Sequence, residues 1–381
     1  MKYHPITDTI ELQALQRDIL DSQEFKSVYP TLSEYIDSFE QQGIPAKNDL
    51  KQLLNFLVTG LSNAKGTQSR FRNEAERFTL FCWHERGKSV LDIKLEDIKL
   101  YIDWIWSPPK NLIADTTISS RFKYRSNSDI RVVNPEWRPF VHRTPKANRK
   151  IESLIAPGKA SSIKHAYKLS QTSLRNSYAS LNIFFKWLID AELVMRNYLA
   201  DAKKNCKYLI KGKIYQPPHT FDDEVWDIFI QCLTDAADEN PKFEIHRFVV
   251  LSLKVLFLRI SELSSRDYYT PLFNHFRPDP SNEGWVLHVV GKGKKERVVT
   301  VPDSYIENVL GRYRESMDLA PLPRIDEDTP ILPSTKTGKP LKQDSVNNIV
   351  EEAFDLVIST LMKSGKKQQA LDIAGASSHW L

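Results

Sequence analysis

The chain has 381 residues, of which 41% are hydrophobic and 27% are charged, as in ordinary globular proteins with two or three domains. No apolar run reaches the roughly 18 residues that a membrane-spanning helix needs, and the first residues lack the apolar core of a secretory signal. We therefore expect a cytoplasmic protein. The three cysteines, Cys82, Cys206 and Cys232, are too far apart for a disulfide framework or a Cys-x-x-Cys metal clip.

The net charge of +5 is small, but its distribution is uneven. Residues 110–175 contain fourteen Lys and Arg against four Asp and Glu, and a second basic run follows without an acid inside it: Lys203, Lys204, Lys207, Lys211 and Lys213. Such one-sided segments repel themselves unless a polyanion or counterions lie nearby. Nucleic acid is one interpretation, and a solvated flexible insert is the other.

In chain order, residues 1–62 contain helical pieces without a motif. Helices are predicted over 69–83 and 95–106, where Pro108 and Pro109 end the second. Residues 107–167 are polar, basic and weakly periodic, which is typical of an insertion or a long loop. An apolar stripe predicts another helix from Ser170 to about Leu188.

A basic stretch ending in Pro217-Pro218 marks a linker, and a capping-box-like start at Thr220–Asp223 opens the next domain. A strongly apolar helix is predicted from Pro241 through Leu263. Alternating residues 285–290 and 297–302 predict a β-hairpin, and a last helix covers about 344–362.

These elements predict a mainly α fold with a small β-sheet (α+β). The expected domains are a helical extension over 1–62, a helical domain over 63–205 that contains the basic insert 107–167, a basic linker over 206–219, and a mixed α/β domain over 220–381.

Three short stretches carry candidate chemistry. The first is Leu258-Arg259-Ile260-Ser261-Glu262-Leu263, where Arg259 and Glu262 share a face if the segment is helical. A guanidinium oriented by a carboxylate can grip a phosphate with two hydrogen bonds. An ordinary ion pair within a helix explains the motif equally well when it is taken alone.

The second stretch runs from Val289 to Val299 and reads VVGKGKKERVV. Gly291 and Gly293 permit a tight turn and a close backbone approach, and Lys292 would project as a proton donor for a phosphate ester. A solvated basic turn is the alternative. The third stretch is Ser377-Ser378-His379-Trp380-Leu381.

In this order, the three stretches resemble the tyrosine recombinase (phage integrase) family, whose catalytic domain carries an "LRISEL"-like arginine, a "GKGxKxR" hairpin lysine and a His-x-x-Arg box. The resemblance implies Arg259 as first catalytic arginine, Glu262 as its supporting acid, Lys292 as hairpin lysine and His379 as first residue of the box. It also implies that a helical DNA-clamping domain precedes the catalytic domain. One departure is local: the family commonly has Gly before its Leu-Arg pair, where this chain has Phe257.

The family's chemistry is DNA breakage and rejoining through a 3′-phosphotyrosyl intermediate, with arginines and histidine stabilising the charge, and no cofactor or metal. Leu381 is the last residue, so the second arginine and the nucleophilic tyrosine of the family are absent from the sequence. We expect a catalytic domain that is incomplete at its C-terminus, DNA binding and an inactive chain.

Duplex DNA is the expected partner, with self-assembly on the recombination site of a mobile element. The residues predicted to contact DNA outside the catalytic set are Lys164, Lys168, Arg175, Lys203, Lys204, Lys207, Lys211, Lys294, Lys295 and Arg297. Two alternatives remain: a non-catalytic DNA-binding regulator or decoy, and a relaxase resembling type IB topoisomerases.

Overall fold

The computed structural model of the chain describes residues 2–60, 65–116, 118, 120–142, 144–156, 167–210, 212, 220–281, 284–291 and 293–376, with the backbone alone of Lys65 and Lys146. The fold is mainly α-helical with small β-sheets, as predicted. The chain divides into two compact units. The first unit comprises Met1–Thr144 and Ile163–Ile214, and the second comprises Pro145–Ser162 and Tyr215–Leu381.

The first unit is built on helices around one hydrophobic core. Its helices are α1 (Gln13–Ile19), α2 (Gln23–Val28), α3 (Pro30–Glu40), α4 (Ala46–Thr59), α5 (Lys65–Phe81), α6 (Leu95–Trp106), α8 (Gln171–Asp190) and α9 (Leu199–Lys204). Residues 1–62 were predicted as a separate extension, yet their described part shares this core with α5, α6 and α8. The reason is that α3 and α4 bury apolar faces, that α1 and α3 pack on α4, and that α4 packs on α5.

The predicted insert 107–167 has more structure than its weak periodicity indicated. Strands β1 (Ile113–Ala114) and β4 (Phe140–Val141) pair in parallel, and β2 (Phe122–Tyr124) pairs antiparallel with β3 (Arg131–Val133). Helix α7 (Lys146–Ile155) lies in the second unit, where it contacts α16 (Lys367–Ala374). The interpretation as a long loop therefore fails for the residues in β1 to β4 and α7, and strands of two or three residues leave no readable period.

Two arginines of this insert are buried in ion pairs rather than exposed. Arg131 donates two hydrogen bonds to Asp8, at 2.6 and 2.8 Å, and Arg121 pairs with Glu76. All four side chains are less than one-tenth exposed. Part of the basic excess of the segment is thus neutralised by acids far away in the sequence.

The basic run after α9 also has an acidic neighbour, which the sequence did not reveal. Lys207 Nζ lies 3.1 Å from Asp103 on α6, and the ring of Tyr208 stacks on Trp106 at 4.5 Å. The described start of the predicted linker therefore packs on the first unit.

The second unit combines helices with a three-stranded antiparallel sheet. Its helices after α7 are α10 (Asp223–Glu239), α11 (Glu244–Val255), α12 (Ile260–Leu263), α13 (Asp303–Tyr305), α14 (Arg312–Glu315), α15 (Gln343–Lys363) and α16, and a π-helix (Ile306–Gly311) joins α13 to α14. Asp222 caps α10, as the capping-box-like start predicted, by accepting from Val225 N–H at 2.8 Å.

The sheet contains β5 (Phe276–Pro278), β6 (Trp285–Val290) and β7 (Glu296–Val301) in that order. The predicted hairpin is confirmed, with Trp285 opposite Val301 and Val290 opposite Glu296. The core of the unit lies between this sheet and helices α10, α11 and α15. Within the described part of the chain, no helix is both long and apolar enough to cross a membrane.

The predicted continuous helix from Pro241 through Leu263 was wrong. Helix α11 ends at Val255, Phe257 takes a left-handed backbone with φ of 48°, and α12 begins only at Ile260. The left-handed residue breaks the i to i−4 hydrogen-bond ladder. The break places Arg259 at the start of a new helix instead of within an old one.

Candidate functional site

Arg259 is the N-cap residue of α12 and has an extended backbone, with φ −84° and ψ 148°. The prediction that it shares a helical face with Glu262 was therefore wrong in geometry, although the two residues do interact. Glu262 accepts from the backbone N–H of Arg259 at 2.8 Å and from its Nη1 at 3.1 Å. The carboxylate thus fixes both the backbone and the guanidinium of Arg259.

Glu262 is fully buried, and a second arginine contacts it. Arg297 on β7 donates to Glu262 from Nε at 3.2 Å and from Nη2 at 2.8 Å, and its Nη2 also donates to the carbonyl of Phe257 at 3.0 Å. The side chain of Glu262 is 0% exposed and that of Arg259 is 66% exposed. We name Arg259, Glu262 and Arg297 the arginine–glutamate cluster.

Burial alone would raise the pKa of Glu262. The hydrogen bond from Arg297, the backbone hydrogen bond from Arg259 and the charges of both guanidinium groups outweigh it, so the pKa is held below its ordinary value. The hydrogen bonds that Arg297 donates to Glu262 in turn raise the pKa of Arg297. The cluster therefore holds one negative and two positive charges. Its net positive charge is accessible to solvent at the exposed Arg259.

Gly291 lets the hairpin approach this cluster. A Cβ atom at Gly291 would lie 3.0 Å from Oε1 of Glu262 and 4.0 Å from Nη1 of Arg259. Its N–H donates to the carbonyl of Lys295 at 2.7 Å, which closes the turn. The close backbone approach that the sequence predicted for this glycine is made here to Glu262 of the same chain.

Beyond the turn, Lys294 and Lys295 are exposed, and Nζ of Lys294 lies 5.3 Å from the ring centre of Tyr268. Arg266 donates to Tyr268 Oη at 2.7 Å and to the carbonyl of Val290. These contacts tie the loop after α12 to the turn end of the hairpin. Two stretches that are about thirty residues apart in the sequence thus form one basic surface.

No family model matches the sequence, and no curated protein matches it either. Among solved structures, the chain is similar to the XerH site-specific recombinase bound to its difH substrate in a pre-cleavage complex, with TM-score 0.42 and 11% identity over 98% of this chain and 94% of that chain. It is also similar to XerH bound to a palindromic difH substrate in a post-cleavage complex, with TM-score 0.41 and 13% identity over 98% and 93%. Both likenesses are distant, and neither assigns an activity to this chain.

Four of the predicted site residues lie outside the described part of the chain: Lys164, Lys211, Lys292 and His379. Of the predicted catalytic set, the structure therefore describes Arg259 and Glu262 and brings them together. The predicted convergence of Lys292 and His379 on the same point stays a prediction.

The other predicted DNA contacts are mostly exposed side chains. Lys168, Lys203 and Lys204 are exposed, while Arg175 is exposed and donates to the carbonyl of Ile210 at 2.8 Å. Arg297 is only 37% exposed because it is directed at Glu262. Its role as the second partner of Glu262 was missed, since no pattern in a single sequence pairs a strand residue with a residue in the first turn of a helix 35 positions earlier.

Tyr305 and Tyr313 precede His379 in the sequence, and the structure buries both. The hydroxyl of Tyr305 lies 2.6 Å from Ser252 Oγ, and that of Tyr313 donates to the carbonyl of Ile331 at 3.0 Å. Burial raises the pKa of both phenols. Across the described residues there is no group of three or more His, Cys, Asp and Glu side chains that could hold a metal ion.

Proposed function

We propose that this protein binds duplex DNA as a member of the tyrosine recombinase family, and that Arg259 grips a backbone phosphate. The observation that carries the proposal is the arginine–glutamate cluster, in which a buried carboxylate orients an arginine that remains 66% exposed. A guanidinium held in this way is pre-organised for a phosphate, because its position is fixed before the ligand arrives.

The charge of the cluster favours an anion. Glu262 is already compensated by Arg297, with hydrogen bonds of 2.8 and 3.2 Å, so Arg259 is not needed to neutralise it. An ordinary ion pair would consist of one arginine and one glutamate, with no second cation beside them. The exposed Lys294 and Lys295 beside the turn add positive charge on the same hairpin.

In the complete family reaction, a tyrosine attacks the phosphorus and the 5′-oxygen leaves, which gives a 3′-phosphotyrosyl link that a second strand later resolves. We assign to Arg259 the stabilisation of charge on the non-bridging oxygens, to Lys292 the proton for the leaving oxygen and to His379 further charge stabilisation. Assembly of several copies on the DNA site belongs to the same proposal.

For the polypeptide itself, DNA binding without covalent chemistry is the second candidate. The hydroxyls of Tyr305 and Tyr313 are buried and hydrogen-bonded. These two phenols are therefore not accessible as nucleophiles, which supports a non-catalytic regulator or decoy, and the exposed Tyr268 is the phenol that an adduct assay has to exclude.

The first experiment measures DNA binding. A duplex with a randomised region is selected on the immobilised chain, and the affinity for the enriched sequence is measured by fluorescence anisotropy at several salt concentrations. We expect Arg259→Gln to weaken binding about tenfold and to reduce the salt slope by about one. Arg324→Gln is the matched control, because Arg324 is an exposed arginine that pairs with the exposed Asp326. Equal losses in both variants would overturn the assignment of Arg259.

The second experiment tests the chemistry. The enriched duplex, nicked so that a cleaved strand cannot be religated, is incubated with the 381-residue chain and resolved on a denaturing gel. We expect no covalent protein–DNA adduct. An adduct that disappears in Tyr268→Phe would identify the exposed Tyr268 as a nucleophile and contradict the non-catalytic candidate.

A further inference from the structure

The first unit contains a cavity of roughly 550 Å³ that the proposed function does not use. It is lined by one face of α5, by the first half of α8 and by residues 114–141 of the former insert. Its volume falls in the range of small-molecule sites, about 300–1,000 Å³. These three regions of the sequence belong to the same unit, so the cavity is formed by the fold of that unit alone.

Arginines dominate the lining, and some of them have no acidic partner. The arginines are Arg70, Arg72, Arg77, Arg121 and Arg138, against Glu74 and Glu76. Glu76 is paired with Arg121. Among the described residues, Arg138 donates to the backbone carbonyls of Pro135 and Trp137, and neither Arg138 nor Arg70 pairs with a carboxylate. The cavity therefore carries a positive surplus.

Three buried polar atoms of the lining have no hydrogen-bond partner within the described residues. One of them, Nη2 of Arg121, nevertheless lies in the ion pair with Glu76, which leaves Nε of Arg77 and Oγ of Ser180. The nearest carboxylate oxygen to Arg77 is Oε2 of Glu74, 3.7 Å from Nη2, and Oε1 of Glu74 is already occupied by the hydroxyl of Tyr101 at 2.6 Å. Buried donors are normally satisfied, so these two atoms indicate a ligand or ordered water in the cavity.

We propose that this cavity binds a small anion that carries a phosphate group. Guanidinium groups match phosphate oxygens in geometry as well as in charge, and a hydroxyl such as that of Ser180 adds a neutral donor. The aromatic side chains of Trp137, Phe140 and Tyr167 also line the cavity, and they provide faces for a ring such as a nucleobase. The phosphate belongs either to a free mononucleotide-sized compound or to a DNA backbone.

Isothermal titration calorimetry on the full chain without DNA tests the proposal, with orthophosphate and adenosine 5′-monophosphate as probes. We expect saturable binding of at least one probe. The double variant R70Q/R138Q should weaken it about tenfold, because two charge-assisted donors are lost. Ser180→Ala should weaken it several-fold and leave the fold intact, since the hydroxyl has no partner to lose. Lys186→Gln, an exposed cation of α8 outside the lining, should change it less than twofold.

Two results would overturn the site: no saturable binding of either probe, or equal losses in Lys186→Gln and in R70Q/R138Q, which would mean diffuse attraction. Titration of the probe-saturated chain with duplex then separates the two sources of phosphate. Competition identifies the DNA backbone as the ligand, and independent binding identifies a free compound. Because Arg259 is itself proposed to grip a phosphate, the titrations are repeated in the Arg259→Gln variant. Probe binding that persists there and is lost in R70Q/R138Q belongs to the cavity, so this proposal and the proposed function can fail separately.

Discussion

The two units use the same residue types for opposite purposes. In the first unit, Asp8 and Glu76 each face one arginine, and all four side chains are buried. In the second unit, one buried carboxylate, Glu262, holds two arginines, of which Arg259 remains largely exposed. A carboxylate matched one to one contributes to structure. A carboxylate that holds two arginines leaves one of them as an exposed cation in a fixed position. That second arginine distinguishes the candidate site from the buried ion pairs of the first unit.

The largest loss of stability is expected when the buried one-to-one ion pair of Arg131 and Asp8 is broken. Arg131→Met should destabilise the first unit by about 4 kcal/mol, because it leaves the fully buried Asp8 without its cation. Urea unfolding followed by circular dichroism measures the loss. Arg196→Met is the control, since Arg196 pairs with Asp201 at the surface and should cost less than about 1 kcal/mol. Similar losses in the two variants would show that burial does not matter to these pairs.

Glu262→Gln tests the unmatched cluster and should destabilise the second unit by about 3 kcal/mol at neutral pH. The folded-state pKa of Glu262 lies below its ordinary value of 4.5, so the unfolded state takes up protons first as the pH falls. The stabilisation is therefore complete above that ordinary value and is lost as the pH drops through the lower folded value. The difference between wild type and variant, from unfolding curves at several pH values, should shrink in that window. A constant difference would mean that Glu262 does not act through its charge.

The third comparison separates charge from geometry at Arg259. Arg259→Lys keeps the cation but cannot make the two parallel hydrogen bonds of a guanidinium. We expect DNA affinity to fall about fivefold, compared with about tenfold for Arg259→Gln. Stability should change by less than about 1 kcal/mol in both, because Arg259 is 66% exposed and Arg297 continues to compensate Glu262. A lysine variant that binds as well as the wild type would show that only the charge matters.

The sequence predicted the long helices and the hairpin because their apolar periods are regular over many residues. The predictions from sequence failed where contacts between distant residues determine the local structure. The break at Phe257 has no glycine or proline to signal it, and the partners of Arg121 and Arg131 lie 45 and 123 positions away. The interaction of Arg259 with Glu262 was predicted from their spacing. It forms in a capping box rather than within a helix, because both geometries bring residues i and i+3 together.

A substitution at Phe257, the helix break just before the arginine–glutamate cluster, should change stability less and in the opposite direction, by increasing it. Phe257 has a φ of 48° and is 79% exposed, so it bears the cost of a left-handed backbone without burying its ring. Glycine adopts this conformation without that cost, which for other residues is about 1–2 kcal/mol, although it adds chain entropy to the unfolded state. We expect Phe257→Gly to stabilise the second unit by roughly 0.5 kcal/mol, measured by urea unfolding. Phe257→Ala, which keeps the strain and loses the ring, is the control and should not stabilise.

The smallest effect concerns the lysines at and after the end of α9, where a lysine with an acidic neighbour can be compared with two for which the described residues show none. Lys203 and Lys204 are exposed, whereas Lys207 lies 3.1 Å from Asp103, and this hydrogen bond raises the pKa of Lys207. A lysine that already has an anionic neighbour releases fewer counterions when it meets a phosphate. We expect K203Q/K204Q to lower the salt slope of DNA binding by one to two, at about one per contact, and Lys207→Gln to lower it by less than about one. If Lys207→Gln had the larger effect, Asp103 would have to release Lys207 on binding. Asp103→Asn should then strengthen binding in the wild-type background, which separates a released pair from a direct loss.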